Sequence, residues 1–386
     1  MIERIIRLIN AGTPVALIGC GGIGKTSIGL TLLDDDRIKG RFGKNRRFIR
    51  CDEVRSYAHF LDRLSKATGA GIEDAQNLTA LRPFLHSTNI FVVLDNAETI
   101  LDPYTPDART LYSAIEELSQ IKTISLLITT RISITPPTCQ QLEVPVLSIA
   151  SAREAFYNIW TNQQRTQGID SILQELDYHP LSMVILATVA TQNRWDRPRL
   201  LREWEQNRTT LLRTHHTPGL SAAVQPSLSS PMFTRLGPDA NGVLYIIATL
   251  PQGVNEEELE WLFPTILNVR DIIDTFYILS LTRQNRNFVT MLAPLREYLE
   301  PLGYSHPLLS SLKNRYLNRL CDIALGVGHG HVPPQEIQWF ISEEINIGFF
   351  LMLFLRANPN SVDTLRVSHA VSQISLLHLP RMTSSD

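Results

Sequence analysis

Gly19-Cys20-Gly21-Gly22-Ile23-Gly24-Lys25-Thr26 follows the apolar run Pro14 to Ile18 and opens a helical pattern. The octet satisfies G-x-x-x-x-G-K-[ST] at every fixed position, in the strand-then-helix context that this motif requires. Ile23, Ser27, Leu30 and Leu33 recur at helical spacing, which predicts that they share one helix face. Glycines in such a turn let successive backbone N–H groups converge on phosphate oxygens, and the helix N-terminus behind them adds a favourable dipole. Lys25 is expected to reach the β and γ phosphates, and Thr26 to place its hydroxyl on Mg²⁺. Gly19, Gly21, Gly22, Ile23, Gly24 and Ser27 complete the expected cradle.

Further along, Ile90-Phe91-Val92-Val93-Leu94-Asp95 is an apolar run ending in a carboxylate. That is the pattern of a parallel strand buried on both faces whose last residue emerges at the ligand edge. Asp95 is therefore the expected second Mg²⁺ residue, and Asn96 and Glu98 the expected positioners of an attacking water. A second buried run, Ile124 to Ile128, ends Thr129-Thr130-Arg131, which brings Arg131 to the same edge as a candidate sensor of a γ-phosphate. A further strand is expected near Val144 to Leu147.

The chain has 386 residues, 44% of them hydrophobic, enough for several domains with real cores. A net charge of −2 does not advertise nucleic acid or an anionic membrane as a general partner. The basic cluster Arg37, Lys39, Arg41, Lys44, Arg46 and Arg47 is read as a solvated loop that leads into a strand expected at Arg47 to Cys51. Cys20, Cys51, Cys139 and Cys321 form no C-x-x-C pair, which points away from a disulfide framework or zinc ribbon and towards a cytoplasmic setting. The longest apolar stretch, Phe349 to Leu355, is far short of the roughly 20 residues that span a bilayer.

Helices are expected at Ile5 to Ile9 and Ser56 to Ala67, then a polar stretch with Asp74, Asn77 and Pro83. From Ser151 onward the pattern is helical, interrupted by Tyr178-His179-Pro180-Leu181, where Pro180 suits the first turn of a helix. The Ser/Pro/Gly-rich stretch Thr214 to Pro231 reads as a boundary in which Pro226 should break or kink any helix. Helices at Val243 to Leu250 and around Ile272 and Phe276 follow. A hairpin of Leu279 to Thr282 and Phe288 to Met291, turning at Gln284 to Asn287, suggests a winged-helix module used for packing or protein contact.

In this order the motifs resemble the STAND class of P-loop NTPases, near its NB-ARC branch, and most of all fungal NOD-like receptor-type proteins. GCGGIGKTS at Gly19 to Ser27 is similar to the family's phosphate loop, FVVLDNAE at Phe91 to Glu98 to its magnesium strand, and LLITTR at Leu126 to Arg131 to its sensor. YHPLSM at Tyr178 to Met183 is similar to its Gly-Leu-Pro-Leu motif, and Leu236 to Val254 to its winged-helix domain. The resemblance implies an α/β P-loop NTPase domain with a parallel five-stranded sheet over residues 1–148. A helical domain (149–214), a winged-helix domain (215–304) and the start of an α-helical array (305–386) would follow. It places the strand ending at Ile128 between the phosphate-loop strand and the magnesium strand, and Pro180 against the adenine. It also implies an ATP/ADP switch with slow hydrolysis, protein partners, homo-oligomerisation on activation, and no nucleic acid or membrane.

Three departures accompany it. The family's segment upstream of the phosphate loop has no counterpart here, so the chain is expected to be a piece of a longer protein. Asn96 stands where many relatives carry a second acid, and Met291-Leu292-Ala293 where they read Met-His-Asp. A turnover ATPase or kinase, and a nucleotide-free scaffold, remain the competing readings.

Overall fold

Three consecutive apolar runs become strands buried along their whole length: β1 (Val15–Ile18), β3 (Ile90–Asp95) and β4 (Ile124–Thr130). Continuous burial follows because helices cover both faces of a parallel sheet, so alternation of polar and apolar residues is not needed. The polar-edged β2 (Arg46–Arg50) and β5 (Gln140–Glu143) close the sheet, whose order is β2-β3-β4-β1-β5 with every neighbouring pair parallel. The strand ending in Ile128 thus lies between the phosphate-loop strand and the Asp95 strand, as expected. The computed structural model describes residues 1–357, apart from 53, 55, 71–76, 162–167, 212–219 and 329–331, together with Ser372.

The chain divides into two compact units. The first comprises Met1–Gly237 with Asp271–Thr282 and Leu292–Tyr298. Beyond the sheet it holds a helical layer, Ile149–Ile159, Asp170–Glu175, Pro180–Gln192 and Arg197–Leu211, gathered round a core that includes Phe156, Trp160, Leu173, Leu186 and Trp204. The second comprises Pro238–Arg270, Arg283–Met291 and the chain from Leu299. In it the antiparallel sheet β6-β8-β7 is built from Val254–Asn255 (β6), Arg283–Asn285 (β7) and Phe288–Thr290 (β8).

Several expectations needed correction. Leu30 is half exposed, and the helix Lys25–Asp34 buries Gly29 and Leu32, because the absence of a side chain at Gly29 lets Val93 approach. The basic cluster is not one loop: Arg37, Lys39 and Arg41 lie in a helix, Asp36–Phe42, capped by the Asp35 carboxylate, where Arg37 pairs with Glu3 and Asp35, and Arg46 and Arg47 begin β2. The fifth strand is Gln140–Glu143 and not Val144 to Leu147, since an edge strand needs only one buried residue, Leu142. The first hairpin strand is Arg283–Asn285, so Leu279 to Thr282 is not a strand and two of the predicted turn residues pair in the ladder. Asn77 caps a helix, Leu78–Ser87, that contains Pro83. Residues 220–228 of the predicted boundary are helical, with Pro226 inside, while Asp74 and residues 214–219 lie outside the described residues.

Among the described residues no single helix is long and apolar enough to cross a membrane. The apolar helices Pro334–Ser342 and Glu344–Ala357 meet at Glu343, whose side chain is buried in the second unit. It accepts from the Tyr316 hydroxyl (2.7 Å) and Asn346 Nδ2 (2.8 Å). Burial holds its pKa above the ordinary 4.5, so the folded state retains the proton when the unfolded chain has lost it. A raised acid pKa makes stability fall as pH rises past the unfolded value. Glu343→Gln should therefore flatten this part of the pH dependence, and the wild-type minus variant difference in urea midpoint should become more negative from pH 4 to pH 7.

Candidate functional site

The carboxyl ends of β1, β3 and β4 meet at one edge of the sheet, and the Gly19-to-Thr26 loop leaves β1 there. Gly22 and Gly24 have φ of 80° and 103°, conformations that side chains rarely adopt, so the turn depends on glycine at both positions. A Cβ on Gly24 would meet nothing within 4 Å, whereas one on Gly22 would lie 2.7 Å from the Leu181 Cβ. The loop is thus open at Gly24 and backed by protein at Gly22.

Lys25 begins the helix behind the loop and is 7% exposed. Its ammonium donates to the Gly19 carbonyl at 2.6 Å and the Cys20 carbonyl at 2.9 Å. Burial lowers its pKa to about 8, with Glu98 acting in the opposite direction. Lys25 is still mostly charged at pH 7.

Asp95, 3% exposed, accepts two hydroxyls on one oxygen: Thr26 Oγ1 at 2.8 Å and Thr129 Oγ1 at 2.6 Å. Asn96 follows with φ 55°, a left-handed conformation that asparagine tolerates, and its N–H donates to Thr129 Oγ1 at 3.1 Å. Glu98 and Arg131 come together as an ion pair, Nε to Oε1 3.0 Å, and the Arg131 N–H also donates to Glu98 Oε2 at 3.3 Å. The Arg131 carbonyl in turn accepts the Ser280 hydroxyl at 2.6 Å, and the Ser133 N–H donates to the Ile278 carbonyl at 3.0 Å. The expected base and the expected sensor therefore occupy each other.

The Tyr178-to-Leu181 segment packs on the loop. Pro180 starts the helix Pro180–Gln192 at its first turn, and the Leu181 N–H donates to the Gly22 carbonyl at 3.3 Å. His179 is fully buried, with Nε2 3.6 Å from Cys20 Sγ and Nδ1 3.3 Å from the Ser182 hydroxyl. Ser27 lies in the first turn of the helix after the loop and is exposed, while Ile23 is buried with its Cγ2 3.2 Å from where a Gly19 Cβ would sit.

All the site residues expected from sequence thus lie on or beside one loop, with Glu98 and Arg131 turned towards each other. Sequence reading gave no role to Thr129, His179 or Ser280. Thr129 is signalled by its place next to last in β4, two residues before Arg131, the spacing at which an extended chain returns to one face. Nothing local marks His179 or Ser280.

The oxygen set of Thr26 and Asp95 fits a hard divalent cation, which takes few protein ligands and keeps several waters. When bound, Mg²⁺ would neutralise charge on phosphate oxygens. Lys25, held only by main-chain carbonyls in the hydrogen bonds given above, can exchange them for phosphate oxygens without leaving a buried carboxylate unpaired.

No sequence family model and no curated protein sequence matches the chain. Solved structures do. The Walker-type ATPase PABY2304 of Pyrococcus abyssi superposes with a TM-score of 0.55 at 12% identity, covering 78% of this chain and 94% of that one. A STAND protein with a tetratricopeptide repeat sensor, PH0952 of Pyrococcus horikoshii, gives 0.35 at 14% identity, and the chain spans only 53% of its length. The Aeropyrum pernix ORC1 protein, solved in complex with DNA, gives 0.38 at 14% identity, covering 81% of this chain and 93% of that one. The latter two scores are too low to bear on the argument, and the first speaks to the fold: that of an α/β P-loop ATPase.

Burial pushes the His179 pKa from 6.5 down to about 4. A lowered histidine pKa means that the unfolded chain binds a proton the folded one refuses, so stability is lost as pH falls from 6.5 towards 4. At pH 4.5 the loss from this group is roughly 2 kcal/mol. Denaturant titrations at pH 7.5 and 4.5 should show it in the wild type and not in His179→Gln.

Proposed function

We propose that the chain binds ATP and ADP with Mg²⁺ and works as a STAND-type molecular switch, related to the NB-ARC branch and to fungal NOD-like receptor-type proteins. The observation that carries this reading is the meeting of Lys25, Thr26 and Asp95 at one glycine turn, with Arg131 paired to Glu98 just past the ends of β4 and β3. Gly19, Gly21, Gly22, Ile23, Gly24 and Ser27 supply the cradle, and Pro180 borders the base. Thr26 and Asp95 would hold the metal.

A switch needs a ligand that tells two states apart, and shifts them only by its differential affinity. Arg131 provides that difference. A γ-phosphate competes with Glu98 for the guanidinium, and Arg131 is tied through its carbonyl to Ser280, so ATP and ADP leave the segment at 278–280 in different surroundings. Hydrolysis is slow, because Asn96 carries no base and Glu98 is engaged by Arg131. The helices after β5 and the elements around β6, β7 and β8 are assigned to the family's helical and winged-helix domains. Its partners are proteins, with homo-oligomers on activation, in a cytoplasmic signalling or self-recognition role. Against a DNA backbone as partner, Glu256 and Glu257 flank the hairpin and engage Gln284 and Asn287.

Nucleotide extracted from the purified protein should be ADP or ATP, and Lys25→Ala should be empty. Saturating ADP with Mg²⁺ should raise the melting midpoint of the wild type by a few degrees and leave that of Lys25→Ala unchanged. Equal retention by the variant would remove the site assignment, and steady turnover above about 1 s⁻¹ would favour a working ATPase or kinase. Arg131→Ala should bind ADP normally and lose about tenfold in ATP affinity, the size of one charge-assisted contact. Equal loss for both nucleotides would refute the sensor role.

A further inference from the structure

We propose that His179 and the main-chain N–H of Leu181 are positioning groups, which turn the amides of the phosphate loop towards a nucleotide's phosphates by holding the loop's carbonyls from behind. The proposal rests on the nucleotide-binding reading above and assigns a role to an imidazole that the motif resemblance leaves without one.

The argument is stereochemical. All described peptide bonds are trans, and in a trans peptide the C=O and the following N–H point to opposite sides. The Gly22 carbonyl accepts from Leu181 N–H at 3.3 Å, so the Ile23 N–H is directed away from Leu181 and into the concave side of the turn. The imidazole acts one residue earlier. With Ser182 donating to Nδ1 at 3.3 Å, the neutral ring carries its proton on Nε2, the nitrogen 3.6 Å from Cys20 Sγ. The main chain at Gly21 favours the protonated ring, as a carbonyl acceptor beside it does. A donor can engage only the Gly21 carbonyl, which directs the Gly22 N–H to the same concave side. Two successive amides are thus preset by two donors from one short segment.

The backing has no slack. A Cβ on Gly22 would lie 2.7 Å from the Leu181 Cβ and 3.0 Å from His179 Cε1. The segment itself is pinned. Asp177 and Tyr178 take left-handed φ of 50° and 52°, and Asp177 Oδ2 accepts from the Ala293 N–H at 2.8 Å. The Tyr178 carbonyl accepts from Leu147 N–H at 3.3 Å, and the His179 N–H donates to the Leu176 carbonyl at 3.0 Å. A glycine-rich turn would otherwise sample many conformations, and presetting it removes entropy that phosphate binding would have to overcome.

Packing alone would also explain a buried aromatic ring here, and the test separates the two. ADP with Mg²⁺ is titrated calorimetrically into the full chain as wild type, His179→Phe, His179→Gln and Lys25→Ala, with the ligand-free melting midpoint as the measure of folding. His179→Phe keeps the ring and removes the donor, and should bind about tenfold more weakly with its midpoint little changed. His179→Gln restores an N–H near the Nε2 position and should recover affinity to within about threefold of wild type. The ¹H–¹⁵N signals of Gly22 and Ile23 should move on ADP addition in wild type and His179→Gln, and much less in His179→Phe. Binding by His179→Phe equal to wild type, or by folded His179→Gln as weak as His179→Phe, overturns the proposal. If His179→Phe does not fold, the affinity and amide signals of His179→Gln decide alone. Loss in Lys25→Ala with none in His179→Phe sinks this inference and leaves the nucleotide reading standing, whereas a wild type that binds no ADP removes both.

Discussion

One oxygen of a buried carboxylate holds the site together. Asp95 Oδ1 takes hydroxyl protons from Thr26, at the start of the helix after β1, and from Thr129, on β4. A carboxylate this deeply buried is unfavourable without donors, and two hydroxyls with the Lys25 ammonium nearby offset that cost. The consequence is geometric. The ends of β1, β3 and β4 cannot separate without breaking these bonds, and everything else at the edge is measured from them.

The remaining charges are disposed so that each cation already has an internal acceptor. Lys25 rests on two loop carbonyls and Arg131 on Glu98. On the proposed reading phosphate oxygens would take the place of these acceptors, so binding would exchange contacts that already exist and would not require an empty charged cavity. Arg131 is also joined through its carbonyl to Ser280, 149 residues further along the chain.

The central strands, the phosphate turn and the carboxylate at the end of β3 were legible because each is written in consecutive residues. Burial on both faces produces unbroken apolar runs, and a left-handed turn next to phosphate demands glycine. The edge strand β5 and one short helix were not legible, whereas the other edge strand, β2, was. Gln140–Glu143 buries one residue, and the helix Asp36–Phe42 is a seven-residue segment with charges on most positions, so neither leaves a periodic signal. The inner face of Lys25–Asp34 was misread because the decisive residue is Gly29, whose contribution is the side chain it lacks.

The sequence by itself determined the α/β class, the loop that ends β1, and the roles open to Lys25, Thr26 and Asp95, since those depend on neighbours within a few residues. Only the tertiary structure decided that Glu98 and Arg131 face one another across 33 residues, and that His179 backs a loop 159 residues away from it in the chain. Pairings of that kind depend on strand order and on where the helical layer settles, and no local pattern of residues encodes either.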